Sequence, residues 1–284
     1  MVEIIQPEPI QYIELPRDPI PTEMSRLIRD LQIKEREFMP VAEGIAARHR
    51  RQDPEGNADP YDPEVLYFSL LELYRYVDES NFACVVHDIV DSGIKTLWTP
   101  YAGSSNKFMS QAVEILSKDK NRPITLTPEL NDPEIQKYAF IDDWIIKADK
   151  LISFLYKFSL NTKLHPEAEL HIFTIAITRF AIDRITAQFG RYKKIVFHTG
   201  FILQTAGDLV KGDPIGEEIL DALKIQKHST VPISPYKVVD TVSATALLPM
   251  TRREALGARL LPYREGTYPD PKDFIKKFTS NDWN

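Results

Sequence analysis

The chain has 284 residues, 43% hydrophobic, 27% charged and 10% aromatic, with a formal net charge of −6. That length and composition can bury a sizeable core, which argues against global disorder. Cys84 is the only cysteine, which excludes an intramolecular disulfide and a cysteine-rich zinc site, and the acidic balance excludes a surface that attracts phosphate backbones everywhere.

Residues 1–21 hold Pro7, Pro9, Pro16, Pro19 and Pro21 among Ile10, Tyr12, Ile13 and Leu15. Fixed φ angles and missing N–H donors exclude regular helix there and predict an extended arm, lying on the protein's own core or on a neighbouring subunit. The stretch Met1-Val2-Glu3-Ile4-Ile5-Gln6-Pro7 has neither a basic leader nor an apolar run of signal length, and no later run approaches the roughly 20 residues of a membrane span. The expectation is a cytoplasmic protein, or one within a virion, with no membrane partner. From Thr22 to about Arg51 the positions Leu27, Ile28, Leu31, Phe38, Met39, Ala42, Ile45 and Ala46 recur at helical spacing, with Pro40 as a break, so residues 22–60 read as a helical extension ending in the polar loop Gln52 to Tyr61.

Helix starts stand out where a short polar residue precedes proline, because one residue caps the helix and the next pre-sets its first turn: Asp62-Pro63, Asp132-Pro133, Asp213-Pro214, Ser234-Pro235 and Asp270-Pro271. Thr251-Arg252-Arg253-Glu254 has the pattern of a capping box. Helices are predicted near 63–77, 80–92, 105–119, 133–160, 166–189, 196–211, 214–227, 235–248 and 251–260. The fold class expected is all-α or nearly so, a helical core over 61–260 with proline-rich arms at 1–21 and 261–284. Glu169 to Phe189, apolar on most of its circumference, reads as the central helix. Short extended pieces are expected at Lys95 to Pro100, Pro123 to Pro128 and Lys194 to His198.

Four constellations bear on chemistry. On one continuous helix, Asp142 and Asp149 would share a face and a divalent cation. The arrangement resembles the aspartate clusters of all-α prenyl-chain enzymes, with a different spacing. His87-Asp88 after an apolar run resembles the core of the HD-type phosphohydrolases, which implies an all-α, metal-dependent hydrolase needing further ligands such as His49 and Asp143. Their commoner reading is a solvated helix face and a helix C-terminus. Cys84, between Phe82 and Val85, reads as a small core residue, and there is no Gly-x-Ser-x-Gly elbow or glycine-rich nucleotide loop. The fourth is a set of basic clusters: Arg48, Arg50 and Arg51; Arg191, Tyr192, Lys193 and Lys194; and Arg252 with Arg253. Gathered into one groove they would contact nucleic acid; near helix ends they also complement the helix dipole.

No catalytic residue, metal ligand or cofactor is assigned from the sequence. Arms on a helical body predict a non-enzymatic, self-assembling structural subunit, a homo-oligomer through its arms, with a viral or phage coat or nucleocapsid protein as the most concrete form. The alternatives are a scaffold or regulatory binding module of a larger complex, and a metal-dependent all-α hydrolase or transferase.

Overall fold

Strands buried on both faces carry nearly unbroken apolar runs, and three such runs form the middle of this fold. A computed structural model describes residues 2–5, 38–52, 61–71, 73–77, 79–100, 104–189, 194–233 and 268–279. In chain order its elements are β1 (Val2–Ile5), a helix α1 (38–52), α2 (Pro63–Leu71), β2 (Tyr74–Tyr76), α3 (Glu79–Asp91), β3 (Thr96–Trp98), α4 (Ser104–Asp119), β4 (Thr125–Thr127) and β5 (Lys137–Ile145). They continue with α5 (Asp149–Ser159), β6 (Glu169–Thr178), α6 (Arg179–Phe189), β7 (Ile195–Leu203), α7 (Ala206–Leu209), α8 (Pro214–Ala222), β8 (Val231–Ile233) and α9 (Pro271–Thr279). Two units divide the chain, one of residues 1–12, 78–202 and 266–284, the other of 13–77 and 203–265.

The first unit is built on a six-stranded sheet in the order β1-β7-β6-β5-β3-β4. Four of its neighbour pairs are parallel by register. The fifth, β6 with β7, is parallel as well: Leu170 N donates to Lys194 O at 3.0 Å, and further along both strands in the same direction Gly200 lies against Ile175 O. Tyr138, Phe140, Leu170, Ile172, Ile195 and Phe197 pack on α5 and α6 through Leu151, Phe154, Leu155, Phe158, Ile182 and Ile185. Helices α3 and α4 cover the other face, and α9 packs on α4, where Phe108 meets Phe274 at 5.0 Å and Tyr268 at 4.9 Å between ring centroids. From β3 the chain winds outward through α4 to β4; from β5 it winds the opposite way through α5 and α6. Right-handed crossovers in opposite directions put their helices on opposite faces, as found.

The all-α expectation is therefore overturned: the protein is α/β with a parallel sheet. The stretch read as a central helix, Glu169 to Phe189, is β6 followed by α6, and every β6 residue from Leu170 to Thr178 is buried. Burial on both faces erased the period-2 alternation that marks a half-exposed strand. The β-branched content of that run, with Ile172, Thr174, Ile175, Ile177 and Thr178, favours a strand. Predicted helix 133–160 divides into β5 and α5, and 196–211 into β7 and α7. Coat-protein assembly took the helical body as its premise and is withdrawn with it. The short extended pieces do contain β3, β4 and the start of β7.

Asp-Pro starts hold at α2, α8 and α9, where Asp62, Asp213 and Asp270 accept from the backbone N–H of Glu64, Ile215 and Lys272 at 2.9, 3.0 and 2.8 Å. Asp132 accepts from Glu134 N at 2.9 Å in the same way, yet only a turn follows. The predicted helices at 235–248 and 251–260 lie outside the described residues, as do all of 22–37 and, save 2–5, all of 1–21. Within the segment read as a C-terminal arm, 271–279 form α9. In the second unit, Phe38, Ala42 and Ile45 of α1 pack with Leu66, Leu70, Val210, Ile219 and Leu220, and β2 pairs parallel with β8.

One irregularity crosses the sheet. Phe140, Ile172 and Phe197 face α5 and α6, and so do Ile145, Ile177 and Ile202, five residues further along each strand. Strict alternation needs an even spacing, so β5, β6 and β7 each slip by one residue, and at one register. Asp142 pairs with Thr174, and both threonine hydroxyls at the slip, Thr174 and Thr199, donate two residues ahead along their own strands, to Ala176 O at 3.1 Å and Phe201 O at 2.9 Å. Gly200 follows directly: a Cβ there would lie 3.1 Å from Ile175 O, so the close approach of β7 to β6 favours glycine.

Candidate functional site

The order of strands reverses between β3 and β5, whose carboxyl ends lie side by side. In open parallel sheets such a reversal leaves a crevice, because the connections leave in opposite directions and do not cover it. Several features converge on this edge. Ala148, in the turn from β5 into α5, is buried and left-handed at φ 62°, a strained conformation for a residue with a Cβ. Arg184 of α6 holds that turn, donating to Lys147 O at 2.7 Å and pairing with Asp149. Thr178 donates to Ile146 O at 2.6 Å and accepts from Ala181 N at 3.0 Å, tying β6 to β5 while capping α6. On the α3/α4 side, Asn106 in the first turn of α4 donates to Ile141 O, and Trp144 packs edge-on against Phe82 at 6.2 Å. Trp144 Nε1 is buried without a hydrogen-bond partner among the described residues, an unused donor close to this edge.

A second constellation occupies the amino-terminal half of β6 and β7. His171 Nδ1 is 2.9 Å from His198 Nε2, and His171 Nε2 is 3.1 Å from Glu169 Oε2. Lys194 Nζ and Lys137 Nζ reach Glu169 at 3.1 and 3.7 Å, and Phe173 stacks flat on the His198 ring at 4.2 Å with 7° between planes. Burial pushes His198 down to about 4, and His171 beside it acts in the same direction. Burial also lowers His171, against the opposing influence of Glu169. Burial pushes the Glu169 carboxyl up, but hydrogen bonds from Lys194 and His171 and the nearby ammoniums outweigh it and hold it below the usual range. The sequence pattern does not show this group, because a helix over Glu169 to Phe189 keeps Glu169 and His171 on different faces and His198 lies 27 residues beyond His171. Two residues apart on a strand, Glu169 and His171 share a face; strand assignment alone would have paired them.

The residues singled out from sequence are dispersed. Asp142 is in β5 and Asp149 at the start of α5, so they share no helix face. Asp143 is buried and accepts from Trp144 N at 3.0 Å. His87 lies 3.3 Å from Lys120 Nζ, which also bonds Asp91. Burial and that ammonium push His87 down, and burial with Asp91 pushes Asp88 up. His49 and Arg48 both meet Glu218. Among the described residues no group of three or more His, Cys, Asp or Glu is placed to hold a metal ion, and no helix is long and apolar enough to cross a membrane. Cys84 is half-buried on α3.

Of the basic clusters, Arg48, Arg50 and Arg51 end α1 in the second unit, Arg51 donating back to Ala47 O at 3.3 Å, while Lys194 pairs with Glu169 in the first. Arg191, Tyr192, Lys193, Arg252 and Arg253 lie outside the described residues. An open groove of about 640 Å³ runs along α1, lined by Val41, Gly44, Ile45, Arg48 and Arg51 among others. No protein-family model, curated protein or solved structure matches the chain.

Proposed function

We propose that this protein binds a small polar molecule at the carboxyl edge of its parallel sheet, in the crevice between the ends of β3 and β5. The observation that carries the reading is the reversal of strand order at that point. The strained Ala148 turn and the buried, unbonded Trp144 Nε1 support it, since strain and unused donors concentrate where a ligand completes the structure. Helix α4 begins at the same edge, so its dipole and first-turn N–H groups favour a ligand with anionic acceptors. A panel of phosphorylated and carboxylated small molecules is expected to contain one that raises the melting temperature and changes tryptophan emission, with the emission change reduced in Trp144→Phe. At a hundredfold excess over Kd the stabilisation would be about 2.7 kcal/mol. A panel without any shift sinks the reading.

A second reading is self-association through the N-terminal segment. It is supported by β1, which among the described residues is an edge strand paired with β7 and is joined to the next described element through residues 6–37. The same four residues of a second copy would complete the sheet equally well, the geometry of strand exchange. Light scattering behind a sizing column is expected to show oligomers of the full chain that become monomers when residues 1–21 are removed; a monomeric full chain ends this reading.

A further inference from the structure

We infer that α9 is a reversible clasp on the wall of the crevice: it opens and closes while the sheet stays folded, and when closed it holds the first turns of α3 and α4 in place. The helix has the pattern of a docking element. Phe274, Ile275 and Phe278 are buried in one stripe at i, i+1 and i+4, while Lys272, Asp273, Lys276, Lys277 and Thr279 are exposed. Nine residues are too few for a stable helix in water, so the formation of α9 and its docking are one event.

Its contacts fall on the starts of two helices. Phe108, in the second turn of α4, meets Phe274 edge-on at 5.0 Å and stacks on Tyr268 at 4.9 Å. Lys277 pairs with Glu79, the first residue of α3. Both contacts lead towards the crevice. Asn106 and Phe108 are two apart on α4, about 200° around the helix, so one reaches Ile141 O of β5 and the other reaches α9. The beginning of α4 is thus held between the sheet and α9. On α3, Phe82 stands one turn after Glu79 and packs on Trp144. Opening is local, because the buried cluster that packs β5, β6 and β7 on α5 and α6 contains no residue of α3, α4 or α9. Undocking uncovers Phe108, Phe274, Ile275 and Phe278 and leaves that cluster whole, so its free energy lies below that of global unfolding. A ligand seated against the first turn of α4 would favour the closed clasp.

That last consequence rests on the crevice reading; the clasp itself is tested with no ligand present, so either can fail alone. Amide hydrogen exchange of the full chain is expected to place residues 274–279 in a fast class together with Phe108, Met109 and Ser110, whose N–H groups bond back into the first turn of α4. Leu116 and Ser117, at the far end of α4, are expected to exchange with β6, at least about tenfold more slowly. If 274–279 exchange as slowly as β6, α9 does not open by itself; if Phe108, Met109 and Ser110 exchange with β6, α9 is a frayed end that holds nothing. Either result overturns the clasp without any variant. Phe278→Ala is expected to speed exchange at Phe108, Met109 and Ser110 at least about tenfold, and Lys277→Gln, at an exposed ion pair, about threefold. An unchanged rate at those three amides in both variants means that the first turn of α4 opens independently of α9, and rejects the proposal.

Discussion

Phe158→Ala is expected to destabilise the first unit by about 3–5 kcal/mol, a large part of the roughly 5–15 kcal/mol that holds a typical domain. Phe158 is fully buried on α5, with its ring 6.2 Å from Tyr138 of β5 and 6.5 Å from Trp98 of β3. It touches two strands from one helix, and strands locked in a parallel sheet cannot move inward to fill the space. The cavity therefore persists, and the cavity contribution adds to the lost transfer free energy. Phe180→Ala, at a position 42% exposed on α6, is expected to change stability by less than about 1 kcal/mol. Urea unfolding followed by tryptophan emission and far-ultraviolet dichroism checks both. Equal midpoints for the two variants would show that α5 does not pack on the sheet as described.

Acidification from pH 6.5 to about 4 is expected to remove on the order of 1–2 kcal/mol of stability through His198, the linkage value being reduced by solvent screening of a half-buried ring. The folded protein holds His198 neutral, down to about 4, whereas the unfolded chain protonates near 6.5. Between those limits the unfolded state binds more protons. The contribution is therefore full above pH 6.5 and is lost as pH falls through the window. His171 and His87, both lowered, act in the same direction, and Glu169, also lowered, adds a loss at still lower pH. Asp88, raised by burial and Asp91, works in the opposite sense, stabilising at low pH and fading as pH rises. Comparison with His198→Gln isolates the one ring: the variant should show a shallower fall in unfolding free energy from pH 6.5 to 4. Parallel curves would mean that His198 titrates alike in both states.

Helix boundaries were legible where a single residue decides them. Asp62, Asp213 and Asp270 each cap a helix with one side-chain oxygen, and proline next to each fixes the first turn, so two adjacent letters carry the information. Strands β5 and β6, and β7 beyond His198, were illegible for two separate reasons. Burial on both faces removed polar letters from β6, and the slip at Asp142, Thr174 and Thr199 broke the alternation that remained. The short strands β3 and β4 were readable, being bracketed by turns and proline. Neither site was legible, because both depend on which strands become neighbours. His171 meets His198 only through the register of β6 with β7, and the crevice exists only because β5 returns to the far side of β3. Asp142 and Asp149, by contrast, looked related solely because a helix was drawn through both.

The shared slip has a consequence for how this sheet can be altered by evolution. Three strands change frame at the same rung, so each is locked to the other two in residue count on both sides of it. Deleting one residue from β6 beyond Thr174 would turn Ile177 away from α5 and α6 while Ile145 and Ile202 stayed in place. Length variation is then confined to the connections between strands, and the three strands must be inherited as a single block.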